Sequence, residues 1–343
     1  MTPALKLESE NLARSWMGHD PAWLRDYLVA GVEDPRINVQ SILTRHFLLD
    51  ALGPEGCRPL MEQECRFASA MNWLLRLAAR AGEGDELGQV LHALRKGGDN
   101  AEGIEVPAFM IRTFARLPMA ICGLAIPNYI EAFLCGAQTG QGQEALRQPC
   151  MDTFRELWAA ALAGRGSAAG RALTVLEPAC GSANDYRFLE AFGIARLIQY
   201  QGFDLCPGNI ENARALFPGV AFELGNVFDI AAPDKSFDLC FLHDLFEHLS
   251  PAGLEAAVRQ TCRVTRQGLC VGFFNMDEIP AHHVRPVRQY YWNTLSMAAM
   301  KALFAECGFI ARAMHIGSFL RQQTGCDQTH NPKAYTFFLA GAG

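Results

Sequence analysis

Leu173-Thr-Val-Leu-Glu-Pro-Ala-Cys-Gly-Ser-Ala-Asn-Asp-Tyr-Arg-Phe188 is the stretch from which the rest of the chain is read. Leu173 to Leu176 is a short apolar run of the kind that forms a strand buried on both faces. It ends on the carboxylate of Glu177. The small residues Ala179, Gly181, Ser182 and Ala183 follow, and then Asn184 or Asp185 as a helix cap. The helix would carry Phe188, Leu189 and Phe192 on its apolar face. Strand, small-residue turn and capped helix leave bare backbone at the carboxyl edge of a sheet, where ligands of open α/β folds bind.

The turn is poorly suited to a dinucleotide. That fingerprint places glycines at the first, third and sixth positions, and counting from Ala179 only Gly181 is present. Glu177 would also repel a pyrophosphate. A carboxylate there suits a cationic ligand, and S-adenosylmethionine carries a sulfonium and an ammonium without any phosphate. Glu177-Pro-Ala-Cys-Gly-Ser-Ala183 resembles the first motif of the class I S-adenosylmethionine-dependent methyltransferases, acidic-x-Gly-x-Gly-x-Gly, with alanine at two of the three glycines. Because alanine disfavours positive φ, both alanines are expected at negative φ, with the loop slightly farther from the ligand.

Downstream, strand-like and helix-like stretches alternate, which implies a parallel sheet with crossover helices. Leu197 to Phe203 reads as the second strand, closed by Asp204, an acidic side chain placed to accept ribose hydroxyls. Pro207 to Leu216 reads as a helix, Val220 to Leu224 as the third strand and Ser236 to Leu242 as the fourth. The fourth leads into His243-Asp-Leu-Phe-Glu-His-Leu249, a Phe-Asp-apolar run ending in Glu-His-Leu that also resembles the family. Gly268 to Phe274 is the fifth strand. Met297 to Cys307 is a helix, and Ile310 to Ile316 and Ala334 to Ala340 are two last strands joined by a polar loop.

The resemblance spans Leu173 to about Ala340. It implies a doubly wound, mostly parallel seven-stranded sheet whose last two strands form an antiparallel hairpin at the edge. It implies cofactor contacts from Glu177, Ala179, Gly181, Asp204, Leu205, Asn226, Val227 and His243. Asn226 stands where the family has an acidic residue bonding the adenine amino group; Asp229 would take that role if the loop shifts. The insert Asn275 to Asn293 lies where the family contacts its acceptor, so Arg285, Arg288, Tyr290 and Tyr291 are expected on the substrate side, joined by Asp244 from the crevice-lining loop after the fourth strand. Two arginines suit an anionic substituent. If the acceptor must lose a proton, His243, His282 and His283 are the candidate bases, since histidine titrates near neutrality. The Glu247–His248 pair lacks a third metal ligand at local spacing, so no metal is expected.

Residues 1 to about 165 carry helical periodicity: Asp20-Pro21 onward, Asn38 to Leu52, Glu62 to Ala81, Glu86 to Leu94, Pro107 to Ala115 and Thr153 to Leu162. This half is read as an α-helical domain, either an oligomerisation unit or a substrate lid, joined at Gly164 to Gly170 to a methyltransferase domain over 170–343. The 343 residues are half hydrophobic and carry a formal net charge of −6, which argues against a nucleic-acid partner. None of the twelve cysteines makes a Cys-x-x-Cys pair, so they are expected to be reduced, in a cytoplasmic protein. The apolar stretch Leu117 to Ile130 is too short and too broken to span a bilayer. The expected function is methyl transfer to a small molecule by a homodimer paired through its N-terminal helices. The alternatives are a protein or RNA methyltransferase, a NAD-dependent dehydrogenase, and a non-catalytic cofactor-binding scaffold.

Overall fold

In the computed structural model, residues 1–27, 37–53, 58–80, 100–101, 104–110, 155–163, 172–326, 329 and 331–341 are described. Seven strands pair into one sheet: β1 Leu173–Pro178, β2 Ile198–Asp204, β3 Ala221–Leu224, β4 Phe237–His243, β5 Thr265–Phe273, β6 Phe309–His315 and β7 Tyr335–Gly341. Their order is β6-β7-β5-β4-β1-β2-β3. All neighbours run parallel except β7, which is antiparallel to both β5 and β6. Strand order reverses between β1 and β4, and that switch point opens the crevice at the carboxyl edge. The central strands are apolar almost throughout, with Val175, Leu176, Leu239, Phe241 and Leu242 buried, as strands covered on both faces must be.

Nine helices are labelled in chain order: α1 Pro3–Trp16, α2 Pro21–Asp26, α3 Val39–Leu52, α4 Arg58–Arg80, α5 Tyr186–Ala191, α6 Pro207–Leu216, α7 Pro251–Val264, α8 Met297–Glu306 and α9 Ile316–Thr324. Residues 155–162 are also helical. The α2 and α3 starts follow from their caps: the side chains of Asp20 and Asn38 each accept two backbone N–H groups of the first turn. The polar loop expected between the last two strands contains α9, whose Ile316, Phe319 and Leu320 are buried. Glu86 to Leu94, Leu117 to Ile130 and the expected junction at Gly164 to Gly170 lie outside the described residues.

The N-terminal helices lie directly on the sheet. One apolar cluster joins Ile42, Leu43 and Leu48 of α3 and Phe67 of α4 to Val175, Phe241 and Cys270 of the strands. Gln40 Nε2 donates to the carbonyls of Phe273 and Tyr335 at 3.0 and 2.8 Å, fastening α3 across β5 and β7. Between these helices, Glu64 accepts from Arg45 (3.1 Å) and Trp158 Nε1 (3.1 Å) and lies 2.6 Å from His46 Nε2, all four side chains buried. The opposite cluster packs Leu5 of α1 and the apolar faces of α7 and α8 against Leu176, Phe203 and Leu242. The eight described cysteines are free thiols. Among the described residues no helix is long and apolar enough to cross a membrane.

Candidate cofactor and acceptor site

The loop leaving β1 is wound through left-handed backbone: φ is +57° at Ala179, +56° at Gly181 and +64° at Ala183. This corrects the expectation of negative φ at the alanines. The loop is held from outside. Cys180 N–H donates to the carbonyl of Phe203 (3.0 Å), and Gly181 N–H donates to Asp204 Oδ2 (3.0 Å). These tertiary bonds over-determine the conformation and override the local preference against a Cβ at positive φ.

Asp204 is therefore the hub of the crevice floor. Its other oxygen accepts from Cys206 N–H (2.8 Å) and Asn209 Nδ2 (3.3 Å), tying the loop to the start of α6. Leu205 beside it is half-buried. Burial raises the Asp204 carboxyl above its usual range despite these donors. Glu177, only 4% exposed, lies within β1 and accepts a hydrogen bond from the Tyr200 hydroxyl. Burial first, and the nearby charge of Asp185 second, push it well above the ordinary carboxylate range. Among the described residues no Lys or Arg forms an ion pair with Glu177, Asp185 or Asp204.

Of the two expected caps, Asp185 stands at the N-cap position of α5. Neither side chain makes a capping hydrogen bond. Instead Asn184 is 4% exposed, and both its Oδ1 and Nδ2 are buried without a hydrogen-bond partner among the described residues. Leaving such an amide unsatisfied costs about 1–3 kcal/mol per group. It sits against Gly181, where an added Cβ would come within 3.1 Å of Nδ2. An orphaned donor and acceptor in a loop whose carboxyls have no cationic partner match the ammonium and carboxylate of a zwitterionic amino-acid tail. The residues present thus fit S-adenosylmethionine.

On the far side of β2, Asn226 Oδ1 accepts from Phe228 N–H (2.9 Å), and its Nδ2 lies 3.5 Å from Met1 Sδ. Val227 is half-buried, whereas Asp229 is exposed, 3.9 Å from the Met1 amino group. Helix α1 runs from there to α7, where Ser250 N–H and Oγ donate to Glu8 at 2.6 Å each. Helix α2 lies on α6 through a bond from Asn212 to the Pro21 carbonyl (2.8 Å), and Arg187 donates to the Arg25 carbonyl (2.8 Å). The first two helices so line the carboxyl edge of the sheet.

The histidines separate. The His243 ring lies over Gly272 of β5, where a Cβ would fall 2.3 Å from Nδ1, and its Nε2 is 3.0 Å from Thr44 Oγ1 of α3. It is thus engaged with the face of the sheet that α3 covers. Asp244 follows at φ +52°, half-buried. His282 Nδ1 accepts from Ser296 N–H (2.9 Å), so in the neutral ring Nε2 carries the proton and is a donor, not a base. His283 is exposed and its backbone pairs with Thr294. The insert forms a two-rung hairpin, Pro286–Val287 with Tyr290–Tyr291. Arg285 and Arg288 are exposed, with Arg288 at φ +51° in the turn. Tyr290 packs against His248, which lies in a short 3₁₀ turn, Phe246–His248, ahead of α7 rather than in the α-helix itself. Among the described residues no group of three His, Cys, Asp or Glu side chains could hold a metal.

Comparison with known proteins gives three results. Residues 175–268 match the family model described as a methyltransferase domain. A curated relative, the malonyl-[acyl-carrier protein] O-methyltransferase of Yersinia pestis, is 25% identical over 162 residues, 41% of this chain; the match spans 58% of that relative's length. Among solved structures, the 1,6-didemethyltoxoflavin-N1-methyltransferase of Burkholderia thailandensis aligns with 62% of this chain and 85% of its own at 15% identity and a TM-score of 0.37. The magnesium protoporphyrin IX methyltransferase of Synechocystis aligns with 62% and 83% at 13% identity and a TM-score of 0.36.

Proposed function

We propose that this chain, whose residues 175–268 match a methyltransferase domain, is a class I S-adenosylmethionine-dependent methyltransferase that transfers the methyl group to a small-molecule acceptor. The observation that carries the reading is the pairing of the orphaned Asn184 amide with the buried, cation-free carboxyls of Glu177 and Asp204 around the left-handed loop. A pyrophosphate would be repelled there. A ligand with ammonium and sulfonium charges would stabilise the ionised carboxylates.

When bound, S-adenosylmethionine supplies a methyl group already activated by its sulfonium. The protein's own residues then have to bind, orient and exclude water. Asp204, which holds Gly181 and Cys206, would also accept the ribose hydroxyls, so that one carboxylate would set both ribose and loop. Asn184 would hold the amino-acid tail. Asn226 and Val227 flank the adenine. Leu5 of α1 and Leu24 of α2, both buried, keep water from the carboxyl edge. Holding the acceptor in line in such a site is worth an effective molarity of about 10⁵–10⁸ M.

The small-molecule acceptor is supported by the acidic chain and by an insert of only two-residue ladders beside the crevice. The test uses methyl-labelled S-adenosylmethionine, the purified protein and a cell extract separated into low-mass, protein and RNA fractions. Label in the low-mass fraction is expected. Label confined to protein or RNA would overturn the acceptor class.

A further inference from the structure

His248 was not among the candidate bases, yet its ring is the one set up for proton transfer. Its Nδ1 lies 3.1 Å from the carbonyl oxygen of Tyr291. A carbonyl only accepts, so Nδ1 carries the hydrogen and Nε2 keeps its lone pair. Among the described residues Nε2 has no hydrogen-bond partner. The Tyr291 carbonyl is itself fixed: Trp292 N–H donates to Arg285 (2.8 Å), and Asn293 N–H donates to the Glu247 carbonyl (2.9 Å). Asn293 Nδ2 donates to Leu249 (2.7 Å), while Glu247 Oε1 accepts from the amides of Phe274 and Asn275 at 2.7 and 3.2 Å. Turning the imidazole would break its bond to a carbonyl whose chain is held by these neighbouring hydrogen bonds.

Three rings surround it. Phe274, Trp292 and Tyr290 have centroids 5.2, 5.4 and 5.7 Å from that of His248. Phe274 and Tyr290 are half-buried and Trp292 is 39% exposed, so the box opens outward. It stands beyond the ends of β4 and β5, across the switch point from Asp204. Burial lowers the His248 pKa, which keeps the ring neutral near pH 7. By contrast, His243 is bonded to Thr44 and His282 presents a donor.

We propose that His248 is the general base of the reaction and that the acceptor is a phenol, its ring against Phe274, Tyr290 and Trp292 and its hydroxyl on Nε2. Aromatic walls select a planar ring. A fixed neutral imidazole is needed only where the nucleophile must give up a proton. The acceptor's O–H proton passes to Nε2, and its oxygen bonds the methyl carbon as the carbon–sulfur bond breaks. S-adenosylhomocysteine leaves with that electron pair, and the imidazolium returns its proton to water. This deepens the methyltransferase reading above and rests on it.

Nitrogen NMR of the histidine-labelled full chain comes first. His248 should be the Nδ1–H tautomer at pH 7; an Nε2–H tautomer would overturn the assignment. His248→Asn keeps a donor for the Tyr291 carbonyl and removes the base, and His248→Gln is the second variant should the first not fold. With catechol as acceptor, kcat should fall about 10²–10⁴-fold at little change in KM. With para-nitrophenol assayed well above its own pKa, where it is ionised without help, the loss should be no more than about tenfold, because the base has no proton to take. Equal losses on both phenols would reduce His248 to a structural role. If S-adenosylhomocysteine binds but neither phenol is methylated, the acceptor class is wrong and the methyltransferase reading stands. If S-adenosylhomocysteine does not bind, both fall.

Discussion

Replacing Ala179 with glycine should stabilise this protein, against the usual outcome of putting glycine into an ordered segment. Ala179 holds φ at +57° in the loop after β1. A residue with a Cβ costs about 1–2 kcal/mol in that region. Glycine removes the cost but adds about 0.5–1 kcal/mol of chain entropy to the unfolded state. The side chain is only half-buried, so little packing is lost. The net expectation is a gain of about 0.5–1 kcal/mol. Ala183 is the internal control. It sits at φ +64°, but its methyl is fully buried in the core cluster. Losing that methyl forfeits about 0.8 kcal/mol, which cancels most of the gain. Urea unfolding of the two variants beside the parent, with unchanged m-values, measures both. Destabilisation by Ala179→Gly, or a larger gain at Ala183 than at Ala179, would refute the assignment of strain to these turns.

Burial pushes the fully buried Glu247 carboxyl up to about 7 from an ordinary 4.5, so its folded pKa exceeds its unfolded one. Its contribution is therefore complete below pH 4.5 and is lost as pH rises to about 7. Glu247→Gln should leave stability unchanged in acid and raise it by about 3 kcal/mol above neutrality in pH-dependent urea unfolding; parallel curves would contradict this. At Glu64 burial raises the carboxyl, but Arg45 and His46 more than offset it and hold it below the usual range. Glu64→Leu leaves Arg45 buried without its carboxylate and should cost about 3–5 kcal/mol, read as a lower urea midpoint. Asp204→Asn should weaken S-adenosylhomocysteine binding about 10–100-fold, the worth of a charged hydrogen-bond acceptor, with circular dichroism unchanged. Calorimetric affinity equal to the parent's would remove Asp204 from the ribose site.

The sheet was legible because its strands are apolar runs bounded by polar or glycine-rich turns. Each begins and ends within three residues of the expected place, from Leu173–Pro178 to Tyr335–Gly341. Helix α9 was missed because its apolar signal is three residues, Ile316, Phe319 and Leu320, in an otherwise polar segment. Helix α1 was not singled out because it buries little beyond Leu5 and Ser9. The φ values of Ala179 and Ala183 ran against local propensity, because the bonds that enforce them come from Phe203 and Asp204 on the next strand. The site was half legible. Asp204 stands at the strand end where its spacing put it, but nothing local reveals that Thr44, on a distant helix, meets His243. Nor does it reveal that Ser296 takes the lone pair of His282, or that the Tyr291 carbonyl orients His248. Such pairings are set by tertiary packing and have no sequence period to betray them.

The most direct measurement is a calorimetric titration of the full chain with S-adenosylhomocysteine and, separately, with NAD. A crevice built for a cationic, phosphate-free cofactor predicts saturable one-to-one binding of S-adenosylhomocysteine and no heat with NAD. Binding of NAD, with none of S-adenosylhomocysteine, would contradict it.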